Sequence, residues 1–275
     1  MIKVEGKKIA QKMLAEIAGK VGNPRQPLIL AAVLVGDINN ARKFLEVKKK
    51  AAENIGIGFN IHEFPEDISQ NELEDRLKII SADTKNNGII IELPLPKHLN
   101  QQKLLDLIPP DRDPDVLSSK AQELFYNNES LILPPAVEAT KQIFDEYGIE
   151  LKNKNAAVFG QGILVGKPIG HWLRMQGTGV NIIDEFTPEP EKISIDADVI
   201  ISGVGHPNLI MPDMVKDKVI LIDFGFNQAD GGIVGDASME TTQKTSLFTP
   251  VPGGVGPIVV AAVLKNLIIL YQSNE

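Results

Sequence analysis

The chain has 275 residues, of which 43% are hydrophobic and 23% are charged, and its formal net charge is −8. This length suits two domains or one large α/β unit, and the negative charge argues against nucleic acid as a partner. The absence of cysteine excludes disulfides, thiolate catalysis and cysteine-ligated metals. The four histidines have no metal-ligand spacing, so no metal site is expected.

The first half of the chain alternates apolar strand-like runs with helical patterns. Apolar spacing near 3.6 predicts helices, and short β-branched runs predict buried strands. Ser69, with Glu72 three residues later, predicts a helix N-cap. Strand–helix–strand alternation indicates a mostly parallel sheet. The predicted elements are helices at 7–21, 41–55, 69–81 and 101–107, and strands at 28–36, 58–64 and 88–92.

The second half repeats the alternation after a break. The segment 108–116 contains three prolines and is predicted to be a loop. A helix at 138–147 leads into strands at 155–160, 180–184, 198–205, 219–225 and 246–251, and the chain closes with an apolar helix at 258–271. We predict an α/β fold of two α/β domains, residues 1–140 with the C-terminal helix 258–275 packed back on them, and residues 141–257.

The N-terminus is polar and lacks the apolar run of a signal peptide. No segment is expected to reach the length of a membrane span. These features favour a cytoplasmic protein with no membrane partner.

The segment VFGQGILVGKPIGHWL (158–173) is a variant of the dinucleotide-binding glycine motif. Gly160 allows a tight turn, Gly162 allows close backbone approach, and the following helix offers N–H groups to a phosphate. Asp184 or Glu185 ends the next strand and would accept hydrogen bonds from a ribose hydroxyl. The alternative is a glycine-rich turn with a solvated acid.

Three more glycine loops follow predicted strands, at 203–210, 223–227 and 249–257. The carboxyl ends of strands are where open α/β sheets bind ligands. We therefore expect these loops, including Gly203 and Gly205, to lie on one ligand-binding edge.

Glu92 ends the buried strand GIII and is followed by the prolines of LPLP (93–96). A buried carboxylate without a partner is costly, so Glu92 either reaches solvent or faces a cation. Lys48 is the candidate cation, on a helix face that it shares with Phe44, although charge patterning alone also allows a solvated lysine. Asp115, in the proline-rich loop, is a second candidate acid or a turn residue.

Together these segments resemble the bifunctional methylenetetrahydrofolate dehydrogenase/cyclohydrolases (the FolD family) of one-carbon metabolism. TPVPGGVGP (249–257) and the VGKP segment ending at residue 168 are the most specific, and VGD (35–37), LPLP (93–96), ADVIISGVGHP (197–207) and IDFGFN with VGD (222–236) also match in order.

The resemblance implies two α/β domains around a cleft, with folate on the first, NAD or NADP on the second, and a homodimer. The second is implied to be a Rossmann-type domain. It implies Lys48 as the key catalytic residue, Asp115 as the acid that holds the pterin ring, and Glu92 as the partner of Lys48. The implied substrate-binding residues are Phe44, Leu93, Pro94, Pro252, Gly253 and Gly254. The implied cofactor-binding residues are Gly160, Gln161, Gly162, Leu164, Val165, Gly166, Asp184, Glu185, Gly203 and Gly205.

The sequence departs from the family at the cofactor site. Gln161 stands where the family has an arginine, which removes a charged phosphate partner. Asp184 and Glu185 replace the family's His-Ser and place negative charge where a 2′-phosphate would bind. We therefore predict that NAD is preferred over NADP.

The sequence also departs at the folate site. Phe44 stands for the family's tyrosine and Glu92 for its glutamine, and DPDVL (113–117) replaces Asp-Val-Asp-Gly-Phe. A carboxylate near Lys48 favours its ammonium form, whereas a general base must be neutral. We therefore expect hydride transfer to survive and cyclohydrolysis to be weakened or re-routed through Glu92. The alternatives are an impaired binding protein and a related dehydrogenase with another small substrate.

Overall fold

The computed structural model describes residues 1–21, 28–36, 39–229 and 232–274, so Asp37 of the VGD segment lies outside the described residues. The chain divides into two compact units. We call Gln11–Pro135 with Val260–Glu275 the three-stranded unit, and Met1–Ala10 with Ala136–Val259 the six-stranded unit.

Strands and helices alternate along the chain, which confirms the predicted α/β class. The strands are β1 (Ile2–Lys3), β2 (Ile29–Val35), β3 (Gly58–Phe64), β4 (Gly88–Ile91), β5 (Asn155–Phe159), β6 (Gly179–Ile183), β7 (Val199–Ser202), β8 (Val219–Asp223), β9 (Asn227–Ala229), β10 (Gly232–Val234) and β11 (Thr245–Phe248). The helices are α1 (Gly6–Ala18), α2 (Asn39–Asn54), α3 (Gln70–Ala82), α4 (Gln101–Leu105), α5 (Ser119–Tyr126), α6 (Pro135–Glu146), α7 (Gly166–Met175), α8 (Pro190–Ser194), α9 (Met239–Gln243) and α10 (Val255–Ser273).

The three-stranded unit contains a parallel sheet in the order β3-β2-β4. Its central strand β2 is almost entirely buried, as expected for a parallel sheet that is covered on both faces. The core around β2 includes Val263, Leu264, Leu267 and Ile268 of α10. The same cluster contains residues of α1 and α2, so helices from distant parts of the chain pack together on the sheet.

Helix α10 corrects one expectation. It has 19 residues and is long and apolar enough to cross a membrane by length and composition, so the prediction that no segment reaches that length is wrong. Most of the helix is buried within the protein, and its apolar residues pack against β2. The helix is therefore a buried element of the protein core.

The six-stranded unit contains a parallel sheet in the order β1-β11-β8-β7-β5-β6. From β5 the chain passes to β6 on one side and then to β7 on the other side of β5. This reversal creates a switch point between β5 and β7, where doubly wound sheets bind dinucleotides. The predicted Rossmann-type architecture is confirmed.

Several elements differ from the expectations. The strand β1 is not among the predicted elements, and it pairs with β11 in the larger sheet. A two-residue strand carries no periodicity that a sequence pattern can reveal. The sequence analysis also gave no strand at β9 or β10 and no helix at α5, α8 or α9, and it extended β7 and β8 into the glycine loops that follow them.

Candidate active site

Glu92 lies directly after β4, where the C-terminal ends of the parallel strands form one edge of the smaller sheet. Its backbone N–H donates to the Val33 carbonyl oxygen at 2.9 Å, which extends the β2–β4 ladder by one residue. Its carboxylate contacts the Nζ of Lys48, and only 9% of the Glu92 side chain and 13% of the Lys48 side chain are exposed. The carboxylate therefore faces a cation, and Lys48 is not a solvated surface residue.

Helix α2 presents Lys48 to this edge. Phe44 precedes Lys48 by four residues on α2 and is partly buried, so the two side chains lie on the same face of the helix. After Glu92 the chain continues through Leu93, which is partly buried, and Pro94, which is exposed.

Asp115 lies in a loop that is fixed on both sides. The buried carboxylate of Asp113 accepts hydrogen bonds from the backbone N–H groups of residues 117–118, at 2.9 and 2.7 Å. The Pro114 carbonyl oxygen accepts from Nδ2 of Asn266, a buried residue of α10, at 2.8 Å. The backbone of Asp115 is therefore held between a carboxylate-centred turn and the core helix.

Charge connects Asp115 with the Lys48–Glu92 pair. Burial raises the pKa of Asp115 to about 7, Lys48 opposes the rise, and the carboxylates of Glu92 and Asp113 add to it. Asp115 thus changes its charge near neutral pH, beside an ion pair. A carboxyl group of this kind either donates or accepts a hydrogen bond, depending on pH.

The glycine loop of the six-stranded unit lies at the switch point. Gly160 follows β5 with a φ of 90°, and its N–H donates to the Ile183 carbonyl oxygen at 2.8 Å. A Cβ on Gly166, the first residue of α7, would overlap the Gly160 carbonyl oxygen, and a Cβ on Gly203 would overlap the Val165 side chain. These glycines let α7 and the β7 loop pack tightly around the end of β5.

Other residues of this edge face outward. Gly162, Leu164 and Gly205 are exposed, and the space around Gly162 is open. Gln161 is partly buried, and its Nε2 donates to the Gly160 carbonyl oxygen at 2.8 Å. The start of α7 therefore offers an uncovered backbone to a ligand, as a phosphate-binding turn requires.

Asp184 and Glu185 follow β6 and are exposed. One oxygen of Asp184, Oδ1, accepts from the Phe186 N–H at 3.1 Å and from the Thr187 hydroxyl at 2.9 Å. The second oxygen has no bond within this turn. Asp184 thus both closes a turn and keeps an oxygen free to accept from a ligand hydroxyl.

Asp236 organises the β7 loop, a role that the sequence analysis missed. It is fully buried and accepts from Ser202 Oγ at 2.7 Å, from Asn227 Nδ2 at 3.2 Å, and from the backbone N–H groups of residues 204–206 at 2.8 to 3.1 Å. A second buried acid, Asp223, accepts from the Asp236 N–H at 3.1 Å. The acid of the second VGD segment was visible in the sequence, but its partners were not.

Comparison with known proteins identifies the family. The sequence model described as "Tetrahydrofolate dehydrogenase/cyclohydrolase, catalytic domain" matches residues 4–115, and the one described as "Tetrahydrofolate dehydrogenase/cyclohydrolase, NAD(P)-binding domain" matches residues 134–275. The chain belongs to the tetrahydrofolate dehydrogenase/cyclohydrolase family. The resemblance seen in the sequence is therefore confirmed.

Individual relatives agree with this assignment. The chain is 38% identical to the "Bifunctional protein FolD" of a Nitratiruptor species over 96% of each chain. It is 37% identical to the protein of the same name from Nautilia profundicola, over 96% of this chain and 95% of the relative. A crystal structure of the FolD methylenetetrahydrofolate dehydrogenase/cyclohydrolase from Campylobacter jejuni shares 32% identity and has a TM-score of 0.93, with 98% of both chains covered.

One departure from the tetrahydrofolate dehydrogenase/cyclohydrolase pattern has a structural consequence. Val116 stands where the family has glycine, and its φ is 58°, in the left-handed region that β-branched residues rarely adopt. Its side chain is only 2% exposed. Burial of the isopropyl group offsets the backbone strain beside Asp115.

The family loop at 249–257 belongs to the six-stranded unit. Pro252 is exposed, Gly253 is partly buried and Gly254 is buried. A Cβ on Gly6, at the start of α1, would overlap the Gly254 carbonyl oxygen. The loop is thus packed against the beginning of α1, while Pro252 remains accessible.

Proposed function

We propose that the protein oxidises 5,10-methylenetetrahydrofolate to the methenyl form with NAD or NADP, and then hydrolyses the methenyl form to 10-formyltetrahydrofolate. The inward-facing Lys48–Glu92 pair beside Asp115 carries the proposal, because it provides a charged acid–base site at the carboxyl edge of a parallel sheet. Membership of the family and the relatives named bifunctional FolD support it.

In this proposal the three-stranded unit binds the folate and the six-stranded unit binds the dinucleotide. Lys48, Glu92 and Asp115 act on the folate, with Phe44, Leu93 and Pro94 lining its site. The domain limits drawn from the sequence, 1–140 with 258–275 and 141–257, stay a prediction.

The dinucleotide supplies the hydride acceptor, and the protein supplies its position. The tight turn at Gly160, the open backbone at Gly162 and the N-terminus of α7 fit a pyrophosphate. Gln161, Leu164, Val165 and Gly166 complete this turn, and Gly203 and Gly205 form the neighbouring loop.

For the hydrolytic step we propose Glu92 as the proton acceptor. The attacking water adds to the methenyl carbon and gives one proton to the Glu92 carboxylate. The bond from that carbon to the ring nitrogen then breaks, the nitrogen takes the proton from Glu92, and the hydroxyl on the carbon releases its own proton to solvent and becomes the formyl carbonyl. Lys48, paired with Glu92, is an ammonium that donates a hydrogen bond to the oxygen that develops on the carbon. In the family's arrangement a glutamine holds the lysine, so this chain divides the two roles between two charged groups.

Substitution of the pair tests this assignment. Glu92→Gln should lower the rate of methenyl hydrolysis about 100-fold, the usual contribution of a general base, while hydride transfer changes little. Both rates are followed by the appearance and decay of methenyl absorbance. Lys50→Met, on the exposed part of the same helix, is the matched control. Hydrolysis that is lost in Lys48→Met but unaffected in Glu92→Gln would show that Lys48 acts alone.

We further propose that NAD is the preferred dinucleotide. The exposed Asp184 and Glu185 oppose a 2′-phosphate, and Gln161 offers no charge to bind one. The ratio of kcat/KM for NAD⁺ to that for NADP⁺ should exceed one and fall in the double variant Gln161→Arg, Glu185→Ser. A wild-type preference for NADP⁺ would refute the proposal.

We also propose a cytoplasmic homodimer. The edge strand β3 pairs with β2 and with no other strand of the described chain, so it has an unpaired edge that can join a second copy. Sedimentation equilibrium should give twice the mass of one chain, and a single-chain mass at micromolar concentration would rule out the dimer.

A further inference from the structure

Phe186 is a large aromatic residue left in solvent at the cofactor edge. Its exposed fraction is 83%, the highest among the large apolar residues that the structure describes. It lies three residues beyond the end of β6, which is an edge strand of the larger sheet. The sequence analysis gave it no role, and an exposed aromatic ring is disfavoured in water.

The backbone of the turn that carries Phe186 is fixed by four hydrogen bonds. The Thr187 N–H donates to the Asp184 carbonyl oxygen at 3.1 Å, and the Asp184 N–H donates to the Thr187 hydroxyl at 3.0 Å. Asp184 Oδ1 accepts from the Phe186 N–H and from the Thr187 hydroxyl. Only the Phe186 side chain is left to order when a ligand binds, so its contact costs little entropy.

The position of the turn indicates the ligand group. The Gly160 N–H is bonded to the carbonyl oxygen of Ile183, the last residue of β6, so the pyrophosphate turn and the Phe186 turn start from adjacent points. A dinucleotide whose pyrophosphate lies at α7 and whose ribose meets Asp184 places its adenine beyond β6, beside Phe186.

We infer that Phe186 stacks on the adenine ring of the bound dinucleotide and is a further binding residue; this rests on the proposed function. Adenine offers an unpaired aromatic face, and base–aromatic stacking strengthens binding substantially. The same turn would then recognise two groups, the ribose through Asp184 and the base through Phe186. The nicotinamide half would not depend on it.

Calorimetry with ADP-ribose tests the inference without folate or turnover. Phe186→Ala should weaken ADP-ribose binding about tenfold, within the range of stacking contributions, whereas Phe186→Tyr, which keeps the ring, should stay within about twofold of the unchanged protein. Met239→Ala removes another exposed apolar side chain of the same unit and should have no effect. In the oxidation assay, Phe186→Ala should raise KM for NAD⁺, leave kcat unchanged and leave the rate with nicotinamide mononucleotide unchanged.

The outcomes separate the inference from the proposed function. Unchanged ADP-ribose affinity in Phe186→Ala, or no binding of ADP-ribose to the unchanged protein, overturns the inference. If the unchanged protein oxidises methylenetetrahydrofolate while Phe186→Ala binds normally, only the inference fails. If oxidation is absent while Phe186→Ala loses affinity, the inference stands and the proposed function fails.

Discussion

Val116 shows how a single residue supports the candidate site at an energetic cost. A non-glycine residue in the left-handed region costs about 1–2 kcal/mol, and Val116 has a φ of 58° next to Asp115. Burial of its side chain offsets this strain energy, because burial of a valine contributes about 1.5–3 kcal/mol to stability. The backbone strain at Val116 therefore destabilises the loop that contains Asp115, whereas the burial of the Val116 side chain stabilises it.

This balance predicts an unusual order of stability at position 116. Val116→Ala loses the burial and keeps the strain, whereas Val116→Gly loses the burial and removes the strain. The glycine variant should therefore be more stable than the alanine variant by about 1 kcal/mol, as measured by urea unfolding. Val47, an exposed helical valine, is the control. At this position the alanine variant should be more stable than the glycine variant by about 1 kcal/mol. If the alanine and glycine variants had the same order of stability at both positions, the backbone of Val116 would not be strained.

At the scale of elements, the β5–α7 connection was predictable because its chemistry is local. A strand followed by spaced glycines and a helix predicts a phosphate-binding turn, and the structure has a tight turn at Gly160 and a helix that begins at Gly166. The acid that holds the neighbouring loop was not predictable in the same way. Asp236 reaches Ser202 across 34 positions of sequence, and no local pattern encodes that contact.

Substitution of two glycines in the β5–α7 connection should affect stability in one case and dinucleotide binding in the other. Gly166→Ala places a Cβ against the Gly160 carbonyl oxygen and should lower the free energy of unfolding by more than about 2 kcal/mol. Gly162 faces open space, so Gly162→Ala should keep the wild-type Tm and raise KM for NAD⁺ several-fold. Thermal unfolding and steady-state kinetics on both variants decide this. A stable Gly166→Ala would mean that α7 packs less closely than described.

At the scale of the whole molecule, buried acids couple stability to pH. Burial raises the pKa of Asp115 to about 7 and that of Asp223 to about 6. Between the unfolded value of 3.8 and these values the native state holds more protons than the unfolded state. The contribution of these two acids to stability is therefore greatest below pH 3.8 and is lost as pH rises towards 7.

The substitution Asp115→Asn should remove the contribution of Asp115 to the pH dependence of stability. The free energy of unfolding of the variant relative to wild type should shift in favour of the variant from pH 4 to pH 7 and then stay constant, as measured by urea unfolding. Glu63→Gln is a control of opposite sign, because Arg42 lowers the pKa of Glu63 and its contribution is lost as pH falls below the usual value of 4.5. Parallel curves for wild type and Asp115→Asn would exclude the raised pKa.

The sequence by itself determined the elements and motifs that depend on neighbouring residues. Periodicity predicted the main helices and strands, the glycine motif predicted the tight turn between β5 and α7, and Glu92 after a buried strand suggested a cationic partner. Ser69, for example, caps α3 by accepting a hydrogen bond from the Glu72 N–H, which is only three positions away in the sequence. Such features are predictable because their energies depend on short-range geometry.

Only the tertiary structure decided which distant groups meet. The parallel pairing of β2 with β4 brings Glu92 to Lys48, and Asn266, a buried polar residue in the apolar helix α10, fixes the Asp115 loop. β1 pairs with β11 from the opposite end of the chain. These contacts depend on the packing of whole elements, because the cost of closing a long loop is met by the assembled core rather than by the residues that touch.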